Sequence, residues 1–223
     1  MLSWRYFMAA EIPPFGRQEP NPAVKFAALG LRKSAQPLTF TLGSMTIGTL
    51  QLLIRTAMED DITAIASLHI CSWQAAYKGI VPNELLDSRD IDASIRSWRS
   101  TLSSYPENLV VAQSGNGMLV GFCCSGPVVD SVRNGNFEFE IYGLHVDPSH
   151  YRQGIGSALL ANSFSRMNGL GLAKAIVWTL EDLVRSRHFY EKNGGKLVNT
   201  GVWNVAGYNL NEVAYGWQGQ HAA

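Results

Sequence analysis

Cysteine is scarce in this chain, and the few cysteines lack any metal-binding arrangement. The 223 residues include only Cys71, Cys123 and Cys124, without a C-x-x-C pair and without a histidine at metal-ligand spacing. Cys123 and Cys124 are adjacent in an apolar segment, so as strand residues they would point to opposite faces and could not easily bridge. We therefore expect three buried, reduced thiols, no metal ion, and a reducing, cytoplasmic location.

Net charge and long apolar runs are also absent. The 18 basic and 18 acidic side chains cancel, which indicates neither a nucleic-acid partner nor an acidic membrane surface. No apolar run approaches the ~20 residues that a membrane-spanning helix needs, so no membrane partner is expected. Beyond residue 50 the chain carries 16 acidic against 13 basic side chains, an excess too small to indicate the substrate.

The remaining composition is sufficient for one domain with an appendage. An apolar fraction of 46% and six tryptophans can fill a packed core. Prolines recur through residues 1–50 without a helical or strand period, so this segment is expected to be a poorly ordered N-terminal extension. Its basic composition also resembles a transit peptide, against which Glu11 and Glu19 argue, and Met45 is an alternative start. The folded domain is placed at residues 51–220.

From Leu52 onward, apolar periodicity predicts an ordered series of strands and helices. Thr56 and Glu59 have the spacing of a capping box, which predicts that the first helix opens there. The order of elements reads β-α-α-β-β-β-α-β-α-β-β and predicts an α/β (α+β) fold whose mixed sheet has helices on both faces. Strands are expected at residues 52–55, 108–113, 118–124, 137–146 and 173–180 and twice within 196–217.

The strongest functional signal lies in residues 137–160. A strand ends at Asp147-Pro148, and a short loop then leads through Gly154-Ile155-Gly156 into an amphipathic helix. This order builds a phosphate site from the main chain, because glycines permit close approach and the helix start offers unpaired N–H groups. We expect a ligand that carries a pyrophosphate.

Two common pyrophosphate-binding motifs do not fit this loop. A dinucleotide-binding Rossmann fold needs G-x-G-x-x-G near the first strand, whereas only Gly154-x-Gly156 is present here, after the fourth strand. A P-loop needs Gly-Lys-Ser/Thr, which does not occur. By itself the pair of glycines is a weak signal, so the surrounding sequence must indicate which pyrophosphate ligand binds.

Three segments resemble the general N-acetyltransferase (GNAT) superfamily in order and spacing. Tyr151-Arg152-Gln153-Gly154-Ile155-Gly156-Ser157-Ala158-Leu159-Leu160, after Asp147-Pro148, is similar to the acetyl-coenzyme A loop of that family, and Ser186-x-x-Phe189-Tyr190-Glu191-Lys192-x-Gly194-Gly195 is similar to its second signature. Trp73-x-x-x-Tyr77-x-Gly79-x-x-Pro82 resembles a sequence common in one bacterial branch. Across residues 52–218, the resemblance implies a mixed, mostly antiparallel central sheet of six to seven strands with helices on both faces.

The resemblance also implies an activity. The chain would use acetyl-coenzyme A as co-substrate and move its acetyl group directly to the primary amine of a small molecule or a peptide N-terminus. The alternative is a catalytically idle acyl-coenzyme A sensor or interaction module. That alternative rests on two departures from the family pattern: Tyr151 stands where Gln or Arg is usual, and Leu183 stands where Asn is frequent. A homodimer is compatible with such folds.

Two stretches of the chain match the family's cofactor contacts. Gly143 is expected to form a bulge at which its strand opens away from a neighbour. The resemblance implies that the main chain after this bulge, from Leu144, His145 and Val146, binds the pantetheine arm and the acetyl oxygen. His145 is expected to contribute only its main chain, and a catalytic imidazole is the alternative. The resemblance further implies phosphate contacts from Arg152, Gln153, Gly154, Ile155, Gly156 and Ser157.

Acetyl transfer needs a neutral amine, so a general base is useful. An alkyl ammonium with a pKa near 10.4 costs about 4.6 kcal/mol to deprotonate at pH 7. Glu138, Glu140 and Tyr142 alternate onto one strand face, and the resemblance assigns Glu140 as the base. The alternatives are an ion pair of Glu140 or a base role for Glu138. By the same resemblance Tyr190 protonates the departing thiolate, unless it is only a packed tyrosine at a helix end.

Trp73 and Tyr77 lie four residues apart, so they share one face of a helix. Their family position suggests that they border the acceptor pocket, with Tyr142 nearby, although core aromatics would show the same spacing. Arg185 and Arg187 begin the last helix, where they either reach the cofactor's phosphates or are simply solvated. Nothing in the sequence marks the identity of the acceptor.

Overall fold

The computed structural model describes residues 42–47, 50–128, 130 and 134–219. Within them, the strands are β1 (Leu42–Ile47), β2 (Leu50–Thr56), β3 (Leu109–Ser114), β4 (Leu119–Pro127), β5 (Phe139–Val146), β6 (Lys174–Leu180), β7 (Lys196–Val205) and β8 (Tyr208–Gln218). The helices are α1 (Ile62–Tyr77), α2 (Asn83–Asp87), α3 (Ile91–Ser104), α4 (Ile155–Gly169) and α5 (Val184–Lys192).

The strands form one mixed sheet in the order β1-β2-β3-β4-β5-β6-β8-β7. The pairing of β5 with β6 is parallel, because α4 carries the chain back across the sheet between them, and the other described pairs are antiparallel. The predicted mixed, mostly antiparallel sheet is confirmed. Strands β2 to β8 are the seven expected strands, and β1 adds one more.

β1 shifts the predicted start of the folded domain. It pairs antiparallel with β2, with Met45 opposite Leu52, so the sheet begins ahead of residue 51. Residues 42–47 read LGSMTI, and a register shift between Leu42 and Met45 interrupts the alternation that would mark a strand. The expectation for residues 1–41 lies outside the described residues.

Helices cover both faces of the sheet, as predicted. Adjacent strand residues point to opposite faces, and two neighbours in β6 show the division. Val177 packs in the cluster that includes Leu159 of α4, whereas Trp178 packs in the cluster that includes Trp73 of α1. Helices α4 and α5 therefore lie on one face, and α1, α2 and α3 lie on the other.

The first helix does not open at the predicted capping box. A 3-10 turn precedes α1, and the Asp61 carboxylate that ends this turn accepts from the N–H of Met58 at 2.8 Å. The same carboxylate accepts from Arg55 at 2.6 and 2.9 Å. The helical segment thus starts two residues later than predicted, with Met58 in the position predicted for Thr56 and Asp61 in the position predicted for Glu59. Glu59 pairs instead with Arg99, at 2.6 Å.

The cysteine prediction is correct for two thiols and wrong for the third. Cys123 and Cys124 are buried and belong to clusters on opposite faces of β4, as their adjacency required. Cys71, on α1, is exposed. All three thiols are free.

Candidate active site

β5 and β6 pair over only three residues and then diverge, which leaves a gap in the sheet. Their parallel pairing covers Phe139–Ile141 against Ala175–Val177. On its other edge β5 stays paired with β4 as far as Val146. Among the described strands, residues 143–146 therefore have one paired edge and one edge that is open toward the gap.

A bulge at Tyr142 fixes where this gap opens. Gly143 lies opposite Cys124 and Ile141 lies opposite Ser125, so Tyr142 is the extra residue in the register. The prediction that the strand opens here is confirmed, but the bulge is one residue earlier than the predicted Gly143. The buried ring of Tyr142 holds it, because the tyrosine hydroxyl donates to the carbonyl of Pro127.

The loop after β5 turns sharply into α4 and presents main-chain donors. Gly154 is the N-cap of α4 with φ of +81°, a left-handed conformation that favours glycine. Arg152, also in that region, has φ of +64°. The N–H groups of Ile155, Gly156 and Ser157 lie in the first turn, where no preceding carbonyl can accept from them. Together with the helix dipole they make an anion-binding surface.

Gly156 has a packing role beside its predicted phosphate contact, which stays a prediction. A Cβ at this position would lie 3.1 Å from Cε2 and 3.2 Å from Cζ of Phe189. It would also lie 3.6 Å from Cδ2 of Leu144. The glycine therefore allows α4 to approach α5 closely, and through this contact it positions the donors of the first turn.

Cationic side chains flank the start of α4. Arg152, Arg185 and Lys192 line the same cleft. The guanidinium carbon of Arg185 lies 5.0 Å from the ring centre of Tyr151, a cation–π contact. Tyr151 and Leu183, the two departures from the family pattern, both lie in the cleft wall. Tyr151 thus holds a cation beside the loop.

Two residues that were considered for phosphate contacts are not part of the cleft wall: Gln153, whose contact stays a prediction, and Arg187, for which solvation was the alternative. Gln153 is exposed and is not part of the cleft wall. Arg187 donates to the hydroxyl of Tyr215 at 3.2 Å and to the carbonyl of Glu181 at 3.1 Å. These bonds hold Arg187 away from the cleft, so Arg185 and not Arg187 is available to an anion.

The gap in the sheet and the start of α4 open into one cleft of about 1520 Å³. This volume exceeds the roughly 300–1,000 Å³ of a site for one drug-sized ligand. The wall continues from α4 and α5, past the open edge of β5, to the inner face of α1. The cleft can therefore hold an extended ligand and a second molecule.

Tyr190 of α5 lies in this wall. Its side chain is buried, and its hydroxyl makes no hydrogen bond within the part of the chain that the structure describes. Burial raises the pKa of Tyr190, with smaller contributions from Cys123 and Tyr77. The phenol is therefore protonated at neutral pH and can donate to a ligand.

The predicted acceptor residues form an aromatic wall on the α1 side of the cleft. The rings of Trp73 and Tyr77 are stacked, with centroids 5.0 Å apart, and both line the cleft although they are largely buried. The guanidinium carbon of Arg89 lies 4.2 Å from the centre of the Trp73 ring. Tyr142 lies in the same wall. These aromatics belong both to the core and to the cleft.

Glu140 is placed differently from the other predicted site residues. Its side chain is fully buried and is not part of the cleft wall. Its Oε2 accepts from Asn134 at 2.8 Å, and Asn134 accepts from Nε1 of Trp178 at 2.7 Å. Trp178 lines the cleft, so this chain of bonds links Glu140 to it. The alternative base, Glu138, accepts from the N–H of Ala173 at 3.0 Å and joins the ends of β5 and β6.

A polar cluster between α1 and β5 is absent from the sequence-based assignment. His69, Ser72 and His145 lie together in the cleft wall, and Ser72 Oγ is 2.9 Å from Nδ1 of His145. The spacing of His69 and Ser72 shows that they share a helix face. No sequence signal relates that face to His145, because the contact depends on how α1 crosses the sheet.

The described residues lack the groups that a metal site or a membrane-spanning helix would need. None of them form a group of three or more histidine, cysteine or acidic side chains that could hold a metal ion. Among the same residues, every helix is too short or too polar to cross a membrane.

The fold and the cleft agree with a known class of protein. Residues 62–195 match the family model described as the acetyltransferase (GNAT) family. The chain belongs to this family, and it is an acetyl-coenzyme A-dependent acyltransferase by class. A Bacillus subtilis (strain 168) relative, named as the uncharacterized N-acetyltransferase YuaI, is 31% identical over 164 residues, covering 74% of this chain and 91% of the relative.

Solved structures show the same fold at lower identity. An N-acetyltransferase from Staphylococcus aureus Mu50 aligns with a TM-score of 0.59 and 21% identity, over 75% of this chain and 98% of that chain. The PaiA N-acetyltransferase of Thermoplasma acidophilum aligns with a TM-score of 0.56 and 19% identity, over 72% of this chain and 97% of that chain. The PaiA structure is a complex with coenzyme A.

Proposed function

We propose that this protein transfers the acetyl group of acetyl-coenzyme A directly to the primary amine of a small molecule or a peptide N-terminus. One observation carries the proposal: the donors at the start of α4 and the open edge of β5 face the same cleft. A diphosphate at the helix start would place an attached chain along that edge. The coenzyme A complex of PaiA, which shares the fold, supports the same use of the cleft.

The residues present fit this co-substrate. The N–H groups of residues 155–157 and the cations of Arg152 and Arg185 complement a diphosphate. The main chain of Leu144–Val146 has polar groups on the open edge that can bind an amide-bearing arm and the thioester oxygen. A donor aimed at that oxygen stabilises the charge that develops on it during attack.

Tyr190 is proposed to donate to the departing sulfur. A thiol has a reference pKa near 8.5 and a phenol near 10, so full proton transfer from a raised-pKa tyrosine to the thiolate is uphill. A hydrogen bond from the phenol would still stabilise the leaving group, because Tyr190 is buried and such a bond is stronger there than in water. This is the role that its position and its protonated state support.

The role of Glu140 as general base stays a prediction. The carboxylate does not touch the cleft, so it can act on an amine only through the bonds of Asn134 and Trp178 or through water. Trp73, Tyr77 and Tyr142 are proposed to border the acceptor, because their rings close the cleft on the α1 side.

The test is release of free thiol from acetyl-coenzyme A across a panel of amines. The panel contains small amines, amino acids, aminoglycosides and peptides with free N-termini, and binding of coenzyme A is measured in parallel. The proposal expects amine-dependent thiol release with at least one class. Binding without any release would favour the idle sensor, and absence of both would reject the proposal.

A further inference from the structure

The imidazole of His145 is held in a fixed orientation on the α1 side of β5. Its ring stacks on Phe122, with centroids 4.9 Å apart and an interplanar angle of 19°. The ring of His69 meets it edge-on at 4.7 Å and 77°. These contacts fix the plane of the ring.

Ser72 contacts both the carbonyl of His69 and one ring nitrogen of His145. Its Oγ donates to the carbonyl of His69 at 3.1 Å and lies 2.9 Å from Nδ1 of His145. A hydroxyl has one proton, so when it is given to the carbonyl, Nδ1 must donate to Oγ. The second nitrogen, Nε2, then carries a lone pair and no proton.

Gly143 leaves that lone pair uncovered. Gly143 and His145 are two residues apart on one strand, so their side-chain positions lie on the same face. A Cβ at Gly143 would lie 3.4 Å from Nε2 and 3.6 Å from Cδ2 of His145. Both residues line the cleft, and Nε2 has no hydrogen-bond partner among the residues that the structure describes. A larger side chain at position 143 would cover it.

The imidazole is neutral in this setting. Burial, and to a lesser degree the charge of Arg89, lowers the pKa of His145 to about 3. Burial also lowers the pKa of His69 well below its ordinary value, with the charges of His145 and Arg89 acting in the same direction. A neutral ring can accept at one nitrogen while it donates at the other.

We propose that Nε2 of His145 accepts a hydrogen bond from the attacking amine and so orients the amine's lone pair toward the thioester carbon. Gly143 gives the amine access to Nε2, and Ser72 fixes the tautomer. The inference rests on the proposed acetyl transfer, since it assigns the acceptor's reacting nitrogen to the space above Gly143. It gives the imidazole a part beyond that of its main chain.

The first test measures the tautomer without any turnover. In the ¹⁵N NMR spectrum of the whole protein labelled at histidine, Nδ1 of His145 is expected to be protonated and Nε2 unprotonated. Ser72→Ala should raise the fraction with a proton on Nε2. A proton on Nε2 in the wild-type protein would overturn the inference, because that nitrogen would then be a donor.

The second test compares His145→Gln with His145→Asn. Both variants lose the ring stacking, but the end of Gln reaches the place of Nε2, whereas the end of Asn reaches only that of Nδ1. We expect His145→Asn to lower kcat/KM for the amine roughly tenfold, with unchanged coenzyme A affinity, and His145→Gln to recover much of the loss. Equal kinetics of both variants would overturn the role of Nε2.

The outcomes separate this inference from the proposed function. If the wild-type protein releases no thiol with any amine, acetyl transfer is rejected and the role of His145 falls with it. If the wild-type protein turns over and His145→Asn matches it, only the role of His145 is rejected.

Discussion

At the scale of single residues, the hydroxyl of Tyr190 offers the simplest test of the catalytic proposal. Removing it in Tyr190→Phe keeps the ring that packs in the core and deletes the donor at the sulfur. We expect kcat to fall roughly 10–100-fold and the dissociation constant of coenzyme A to change little. Steady-state kinetics and calorimetry measure the two quantities. Tyr208→Phe, at a tyrosine exposed on β8, is the control, and an unaltered kcat in Tyr190→Phe would remove the assigned role.

Glu140 raises a different question at the same scale, because its carboxylate lies beneath the cleft. Glu140→Gln keeps the shape of the side chain and an oxygen that accepts from Asn134, while it removes the base. If the carboxylate takes the amine's proton through its hydrogen-bonded neighbours, turnover should fall about a hundredfold with coenzyme A affinity unchanged. Turnover close to wild type would show that Glu140 has only a structural part.

At the scale of elements, the contact of α4 with α5 depends on Gly156. In Gly156→Ala the added methyl would lie 3.1 Å from the ring of Phe189, so the two helices must move apart. We expect a loss of about 1–3 kcal/mol in unfolding free energy and weaker binding of coenzyme A. Denaturant unfolding and calorimetry measure both. Ser157→Ala, which adds no atoms in the same turn, is the control and should leave the free energy of unfolding nearly unchanged. If Gly156→Ala were as stable as the wild-type protein, this packing role would be contradicted.

The start of α1 makes a prediction that depends on pH. Desolvation by itself raises the pKa of Asp61, but the bonds from Arg55 and from the N–H of Met58 outweigh it, and the net pKa is lowered. The stabilisation is therefore complete above the unfolded value of about 3.9 and is lost as pH falls through the lower folded value. We expect Asp61→Asn to lower the unfolding free energy by about 2 kcal/mol at pH 7. The difference from wild type should shrink below about pH 4.

The control for Asp61 is the exposed pair of Glu59 and Arg99. Their side chains are 57% and 53% exposed, so Glu59→Gln should change stability by less than about 0.5 kcal/mol. Urea unfolding at pH 7 and at pH 3.5 gives the change in unfolding free energy for each of the two variants at each pH. A loss at Glu59 as large as that at Asp61 would show that burial does not decide the strength of these pairs.

At the scale of the whole molecule, the glycine loop and the order of elements could be predicted from sequence because both are local. Gly154 lies at the start of α4, where the predicted loop leads into its helix, and the strand before it opens within one residue of the predicted bulge. Features that depend on distant partners could not be predicted. The burial of Glu140 depends on Asn134 and Trp178, and the orientation of His145 depends on a helix far earlier in the chain.

The same reasoning explains the misplaced boundaries. Thr56 and Glu59 have capping-box spacing, but the buried ion pair of Asp61 and Arg55 decides where the helix starts. β1 pairs with an edge of β2, and a register shift between Leu42 and Met45 interrupts its own alternation of apolar residues. Local patterns therefore located the glycine loop, whereas the surroundings of Glu140 and His145 required the assembled fold.

The central claim is that main-chain donors at the start of α4 grip a diphosphate, and calorimetric titration tests it most directly. Coenzyme A is compared with pantetheine, which has the same thiol arm and no diphosphate. We expect coenzyme A to bind with a measurable enthalpy and pantetheine to bind far more weakly. Equal affinity for the two ligands, or no binding of coenzyme A, would contradict the account.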